Sequence, residues 1–156
     1  RVADYGGANG LLKKFIPASI SIDNDKSKSP DINDNILTHK GDYDLIVVRY
    51  VLHYLSDKEI KRLFENLKNY TGEIWIIQFA SDGDDLKRKQ ANSKNEGNKY
   101  FRDTKGLFKL IEESLDLIES KAQTIDVDKS FYINRLDNPD VVRHFETVYF
   151  MRGLIK

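Results

Sequence analysis

The first residues whose types and spacing suggest chemistry form a glycine-rich turn near the start of the chain. Residues 2–10 read VADYGGANG, in which a short apolar run meets Asp4 and then breaks at Gly6, Gly7 and Gly10. Residues 11–15, LLKKF, resume with helical spacing, so the stretch predicts a strand, a tight turn and a helix. Glycine permits positive φ and close approach of a ligand, and a helix start offers free N–H groups. A flat or polar ligand is therefore expected here, although many such turns carry glycine for geometry alone.

A second acid follows at the spacing that a nucleotide site requires. Residues 19–23, SISID, alternate like a strand and end at Asp23, with Asn24 next. Asp23 lies about 20 residues after the first strand, where a dinucleotide-type fold places its ribose-binding carboxylate. Its two oxygens suit both hydroxyls of a ribose, and the alternative is a strand-ending acid in solvent.

The third motif is an apolar strand followed by polar residues. Residues 42–57 read DYDLIVVRYVLHYLSD. A strand is predicted at 44–48, where the apolar run after Asp44 is typical of a parallel strand covered on both faces. In an open parallel sheet, ligands lie beyond the carboxyl ends of the strands at the switch point. The turn, Asp23, Arg49 and Tyr50 are therefore expected to converge.

In this order the three motifs resemble those of class I S-adenosylmethionine-dependent methyltransferases, and the resemblance covers essentially the whole chain. Asp4, Gly6, Ala8 and Gly10 fall on the family's acid and three glycines, with Ala8 in place of the middle glycine. Residues 42–57 match its fourth strand and the following loop. The resemblance implies an α/β fold: a Rossmann-like three-layer sandwich with a mostly parallel sheet of order 3-2-1-4-5-7-6 and an antiparallel strand 7.

The resemblance also implies which residues bind S-adenosylmethionine, and its product S-adenosylhomocysteine, at the matching positions: Asp4, Gly6, Gly7, Ala8, Gly10, Asp23, Asn24, Asp34, Asn35, Ile36, Arg49 and Tyr50. Asp4 is expected to order the turn through its N–H groups rather than to contact the cofactor. Asp34 or Asn35 would accept from the adenine amino group, with the Ile36 N–H facing a ring nitrogen, unless the acid is an ordinary loop residue. Arg49 would either brace the methionine carboxylate or pair with an acid such as Asp44.

Methyl transfer asks little of side chains, because the sulfonium already makes the methyl group electrophilic. His53 stands where some relatives place a histidine that faces the acceptor, and an imidazole suits a general base; the same position is often structural. His39 and His144 match no motif. No cluster of residues has metal-ligand spacing, so no metal site is predicted.

The elements that must position these residues can be read along the chain. The predicted order is a helix at 11–15, a strand at 19–23, a polar loop at 24–30, a short strand at 31–33, a strand at 44–48, a helix from the capping box at 56–59 to 71–72, a strand at 73–79, a helix at about 107–114, a strand at 115–125, a turn at 138–140 and a last strand at 144–151.

The segment 80–104 is polar, and we expect it to be a lid-like loop. Lys87, Arg88 and Lys89 stand there with the aromatics Tyr100 and Phe101. Basic residues interleaved with aromatics are typical either of a solvated lid or of a surface that binds phosphates and stacks bases.

Composition limits the class of protein. The 156 residues suffice for one domain, 1–156. Their formal net charge is zero, so the overall charge does not favour binding to nucleic acid or to a membrane. Cysteine is absent and no run could span a bilayer, so we expect a cytoplasmic protein; residues upstream of Arg1 are expected in a longer protein.

The predicted function is methyl transfer to a small-molecule oxygen, nitrogen or carbon. The alternatives are an RNA or cap methyltransferase and a noncatalytic scaffold with the same fold.

Overall fold

The computed structural model describes residues 1–8, 10–93, 99–126 and 145–156, without the side chains of Asp126 and Phe145. Within these residues the sheet has seven strands in the order β3-β2-β1-β4-β5-β7-β6, which confirms the predicted order. The strands are β1 Val2–Tyr5, β2 Ser19–Asp23, β3 Ile32–Asn33, β4 Leu45–Arg49, β5 Glu73–Ala80, β6 Leu115–Asp126 and β7 Phe145–Ile155. The α-helices are α1 Asp57–Asn66, α2 Gly83–Asn92 and α3 Thr104–Glu112.

The centre of the sheet is parallel, and β1 lies at the switch point. Asp4 of β1 is in register with Ser21 of β2 on one side and with Val47 of β4 on the other. β5 continues the parallel sheet beyond β4, whereas β7 runs antiparallel between β5 and β6. The carboxyl ends of β1, β2 and β4 therefore meet at one edge, where the sequence placed its site residues.

Helix α1 begins as the sequence predicted. The Glu59 N–H donates to the Ser56 hydroxyl, and the Glu59 carboxylate accepts from the Ser56 N–H at 2.8 Å, which completes the capping box. Ile60, Leu63 and Phe64 recur at helical spacing and are buried, and burying each stabilises the fold by about 2 kcal/mol. The helix ends at Asn66, before the predicted end at 71–72.

Two predicted elements differ from the structure. The helix expected at 11–15 is a single 3-10 turn, Leu11–Lys14, because only Leu12 of its residues is buried and Pro17 prevents a longer helix. The segment 80–104, expected to be a loop, contains the ten-residue helix α2. Lys89 on this helix donates to Ser81 at 2.7 Å and to Glu146 of β7, so polar contacts rather than an apolar face hold α2 on the sheet.

The last strand is longer than predicted and continues to Ile155. Its predicted first residue, His144, and the predicted turn at 138–140 lie outside the described residues. In the part of the chain that the structure describes, no helix has the length and apolar character to cross a bilayer.

Candidate cofactor-binding site

The carboxyl ends of β1, β2 and β4 enclose a cleft of about 700 Å³. Nine of the twelve residues predicted to bind the cofactor line it: Gly6, Gly7, Ala8, Asp23, Asn24, Asn35, Ile36, Arg49 and Tyr50. Asp4, Gly10 and Asp34 are not among its lining residues. The volume is that of an ordinary small-molecule site, and the cleft is built at the switch point of the sheet.

The glycine turn presents bare main chain because side chains do not fit there. Gly6 has φ of 70°, and its N–H donates to the Ile22 carbonyl at 2.9 Å. A Cβ on Gly6 would lie 2.5 Å from Cγ2 of Val51, and one on Gly7 would lie 2.7 Å from the Asp4 carboxylate. Gly6 is therefore required by packing and by conformation, and Gly7 by packing.

Ala8, which replaces the family's middle glycine, adopts the conformation that glycine would favour. Its φ is 45°, and its N–H donates to Oδ2 of Asp23 at 3.1 Å. Gly10 has φ of 71° and closes the turn through its N–H, which donates to the Gly7 carbonyl at 2.8 Å. The alanine thus preserves the turn and the wall of the cleft.

Asp23 ends β2 at the wall of the cleft. Each carboxylate oxygen accepts one backbone N–H, Oδ2 from Ala8 and Oδ1 from Asp25 at 2.9 Å. A carboxylate oxygen has more than one acceptor site, so both oxygens retain capacity for the hydroxyls of a ribose. Asp23 thereby orders the turn, the task that the sequence assigned to Asp4.

Asp4 and Arg49 form a charge pair with unused hydrogen-bonding capacity. Asp4 is fully buried, and neither of its carboxylate oxygens accepts a hydrogen bond from the described residues. Nη2 of Arg49 lies 3.5 Å from Oδ2 of Asp4, and the Arg49 Nε is also buried without an acceptor. Burial raises the pKa of Asp4, and the Arg49 charge offsets part of that rise.

Arg49 was predicted either to brace the methionine carboxylate or to pair with an acid such as Asp44, and the structure shows an acid beside it. The acid is Asp4 rather than Asp44, which bonds the amino group of Arg1. The first role stays a prediction. Buried polar groups are normally hydrogen-bonded, and the pair of Asp4 and Arg49 keeps unsatisfied atoms where Arg49 lines the cleft.

The loop after β3 reaches the cleft through Asn35 and Ile36, whereas Asp34 faces away. One Asp34 oxygen lies 2.8 Å from Nδ1 of His39 and the other accepts from the Asn35 N–H at 2.7 Å, and these bonds lower the pKa of Asp34. Nε2 of His39 lies 3.0 Å from the Tyr43 hydroxyl. Asp34 therefore bonds within its own loop, whereas Asn35 and Ile36 line the cleft.

His53 lies outside the cleft. It is buried among aromatic rings, with centroids 4.0 Å from Tyr54 and 4.8 Å from Phe79, and its Nδ1 is 3.4 Å from Nε2 of Gln78. Burial, reinforced by the charge of Lys99, lowers the pKa of His53 to about 4. The geometry places a neutral, packed imidazole where the sequence proposed a general base.

The structure adds cleft residues that the sequence did not single out, notably Leu11, Val51, Tyr54 and Leu55. Three of them stand in the motif that contains His53. Leu52–Tyr54 forms a 3-10 turn with Leu52 and His53 buried and Tyr54 exposed, so the turn decides which side chain meets the cleft. No group of metal-ligating residues occurs among the residues that the structure describes.

Comparisons of sequence find no matching protein-family model and no matching curated protein. Comparison of structures finds many neighbours at low identity. A candidate methyltransferase from Bacillus halodurans C-125 superposes with a TM-score of 0.68 at 11% identity, over 98% of this chain and 91% of that one. An S-adenosylmethionine-dependent methyltransferase from Thermotoga maritima gives 0.67 at 13% identity, over 100% and 82%.

A third neighbour has a bound ligand. Magnesium protoporphyrin IX methyltransferase from Synechocystis PCC 6803, with S-adenosylhomocysteine, gives a TM-score of 0.60 at 12% identity, over 98% of this chain and 73% of that one. The strand order and these neighbours agree. The chain therefore has the fold of the class I S-adenosylmethionine-dependent methyltransferases.

Proposed function

We propose that the chain binds S-adenosylmethionine in the cleft and promotes transfer of its methyl group to an oxygen, nitrogen or carbon of a small molecule. The observation that carries the proposal is the single cleft that the glycine turn, Asp23 and Arg49 line together, with Arg49 3.5 Å from the buried Asp4. Solved neighbours include methyltransferases, one with S-adenosylhomocysteine bound. A fold shared at low identity supports the proposal without fixing the acceptor.

The chain's own residues would hold the three parts of the cofactor. Asp23 would accept the ribose hydroxyls, and Asn35 with the Ile36 backbone would meet the adenine edge. Arg49 would bind the amino-acid carboxylate, and the buried Asp4 would hold the Arg49 side chain in place. The contacts of Asp23 and Arg49 use capacity that the described residues leave open.

The bound cofactor supplies an electrophilic methyl group, so the protein's part is to position the acceptor and exclude water. Val51, Tyr54 and Leu55 also line the cleft and would provide an apolar and aromatic wall for the acceptor. A catalytic role for His53 stays a prediction. Its position behind Tyr54 and its low pKa favour a structural role.

The first experiment is calorimetric titration of the chain with S-adenosylmethionine and S-adenosylhomocysteine. The wild-type chain should bind both, and Asp23→Ala should weaken both at least tenfold, since one or two charge-assisted hydrogen bonds are lost. Asp42→Ala is the matched control, because Asp42 is exposed and precedes β4 at the opposite edge of the sheet. Failure of the wild-type chain to bind either compound would contradict the proposal.

If both compounds bind, the acceptor is sought with radiolabelled S-adenosylmethionine and pools of small metabolites. Transfer of label to a small molecule is the expected result. Transfer to RNA would instead support the alternative methyltransferase class. Binding without transfer to either class would support the noncatalytic scaffold.

A further inference from the structure

The loop that follows β3 forms one wall of the cleft and has little support from the sheet. β3 itself has only two residues, and residues 35–37, directly beyond it, line the cleft. The backbone then makes a single turn, in which the N–H groups of Thr38 and His39 donate to the Asn35 carbonyl at 2.9 and 2.8 Å. Side-chain contacts must therefore contribute to the position of this wall.

His39 ends this turn, and each of its ring nitrogens lies within hydrogen-bonding distance of a partner. Nδ1 is 2.8 Å from a carboxylate oxygen of Asp34, and Nε2 is 3.0 Å from the hydroxyl of Tyr43. The His39 carbonyl accepts from the side-chain amide of Asn66 on α1 at 2.8 Å. His39 and Tyr43 are buried, so the ring joins the first residue of the loop to a fixed point in the core.

The charge states of the two partners fix the roles of the ring nitrogens. The hydrogen bonds from His39 and from the Asn35 N–H lower the pKa of Asp34, so its carboxylate is ionised near pH 7 and can only accept. Nδ1 must therefore carry a proton. Burial raises the pKa of Tyr43, so its phenol stays neutral and can donate to Nε2 of a neutral ring. Both nitrogens are thus satisfied, as a buried imidazole requires.

We propose that His39 is a positioning residue, whose two hydrogen bonds hold the loop 34–39 in the geometry that the adenine of the cofactor requires. This inference rests on the proposed function, in which Asn35 and the Ile36 backbone meet the adenine edge. His39 is not among the residues that line the cleft, so it acts through the loop rather than by touching the ligand. A loop that is already held in its bound position loses less conformational freedom on binding, and the affinity is higher for that reason.

The test compares S-adenosylhomocysteine with S-ribosylhomocysteine, which is the same molecule without its adenine. Calorimetry gives the dissociation constant of each ligand for wild type, His39→Ala, Asp34→Ala and Tyr43→Phe. His39→Ala should weaken S-adenosylhomocysteine about tenfold, since ordering even one loop residue on binding has a cost of that size. S-ribosylhomocysteine has no base to meet the loop, so its dissociation constant should change by less than about twofold.

The other variants examine the two ends of the contact. Asp34→Ala removes the partner of Nδ1 and should give the same selective loss as His39→Ala. Because the two residues act through each other, the double variant should bind within about twofold of the weaker single variant. Tyr43→Phe keeps the packed ring and removes only the contact at Nε2, so we expect a smaller selective loss of about threefold. Asp34 is only partly buried, so Asp34→Ala and Tyr43→Phe decide the question if His39→Ala does not fold.

Three results would overturn the inference. Equal weakening of both ligands would mean that His39 supports the fold as a whole rather than the adenine wall. A selective loss in Asp34→Ala without one in the variants of His39 and Tyr43 would mean that Asp34 itself contacts the adenine. Absence of a selective loss in every variant would mean that the loop keeps its position without these bonds.

The controls separate this inference from the proposed function. Lys40→Ala is the matched control, because Lys40 is exposed and directly follows His39, and it should leave both dissociation constants unchanged. Wild-type binding of S-adenosylhomocysteine without a selective loss in the variants would sustain the proposed function and defeat this inference alone. Absence of wild-type binding would defeat both.

Discussion

At the scale of single residues, burial of His53 lowers its pKa and so makes the free energy of unfolding depend on pH. The folded chain lowers the pKa of His53 from 6.5 to about 4 because the ring loses solvent. Between these pH values the unfolded chain binds a proton that the folded chain does not, so stability falls as the pH falls. Below about pH 4, His53 is protonated in both the folded and the unfolded chain, so the full loss of stability is present.

The free energy of unfolding should therefore drop by about 3 kcal/mol from pH 6.5 to pH 4, at about 1.4 kcal/mol for each unit of pKa shift. Urea unfolding at several pH values, followed by fluorescence of Trp75, measures this drop. His53→Gln carries no titrating ring and should show a flatter profile over the same window. An equally steep profile in that variant would show that the buried imidazole is not its source.

The glycine turn gives a second prediction at this scale. Gly6→Ala should lower the free energy of unfolding by about 2 kcal/mol or more, because φ is 70° and the new Cβ would lie 2.5 Å from Val51 Cγ2. Ala8→Gly is the matched opposite change at a residue already left-handed, and stability should stay equal or rise by up to about 1 kcal/mol. Equal losses in both variants would contradict this account of the turn.

The positions of some cleft residues can be predicted from spacing along the chain, whereas contacts that form only in the folded sheet cannot. The glycines and Asp23 were predictable because strand, turn and strand set their spacing along the chain. The partners of Asp4 and Asp34 were not, since Arg49 and His39 come within reach only in the folded sheet. Which face of the 3-10 turn carries His53 likewise depends on tertiary packing.

At the scale of elements, Arg102 joins the segment after α2 to the turn between β4 and α1. Its guanidinium donates to the carbonyls of Leu52 at 3.0 Å, Leu55 at 2.7 Å and Tyr100 at 3.1 Å, and to the carboxylate of Asp57 at 2.8 Å. The planar group with five donors suits so many acceptors at once. The turn that carries Tyr54 and Leu55 into the cleft is thus held from outside.

Arg102→Ala should lower the free energy of unfolding by about 3 kcal/mol, because it leaves partly buried carbonyls without a donor. Arg102→Lys should recover only part of the loss, since one ammonium cannot reach all four acceptors. Hydrogen exchange of Leu52–Tyr54 should accelerate in both variants. Lys105→Ala, an exposed lysine on α3, is the control and should change stability by less than about 0.5 kcal/mol.

The elements themselves differ in how far the sequence indicates them. β4 and β5 were predictable because buried parallel strands read as apolar runs, and α1 because its capping box precedes a helical apolar pattern. α2 was missed because residues 83–92 have almost no apolar periodicity. Its support comes from ion pairs one turn apart and from contacts of Lys89 with residues distant in sequence.

At the scale of the whole molecule, charge bears on the choice between small molecules and RNA. The chain has formal net charge zero, and four cations that the structure describes in the segment 80–104 have acidic partners close by: Lys87 with Asp84, Arg88 with Asp85, Lys89 with Asp85 and Glu146, and Arg102 with Asp57. Such pairs add little stability at a surface, but they reduce the positive field that phosphates would meet. This charge pairing agrees with the proposed small-molecule acceptor.

This balance predicts that the chain does not bind single-stranded RNA even at about 50 mM salt, where contacts to phosphates are strong. Fluorescence anisotropy with a labelled oligonucleotide is the measurement, and S-adenosylhomocysteine binding by the same sample verifies that the protein is folded. Lys87→Glu with Arg88→Glu should then behave like wild type. If the wild-type chain instead bound RNA with an affinity that falls steeply with salt, and if this double variant flattened that dependence, the basic segment would be a phosphate-binding surface. The acceptor would then have to be sought among RNAs, because the ion pairs of the segment 80–104 would not prevent it from binding phosphates.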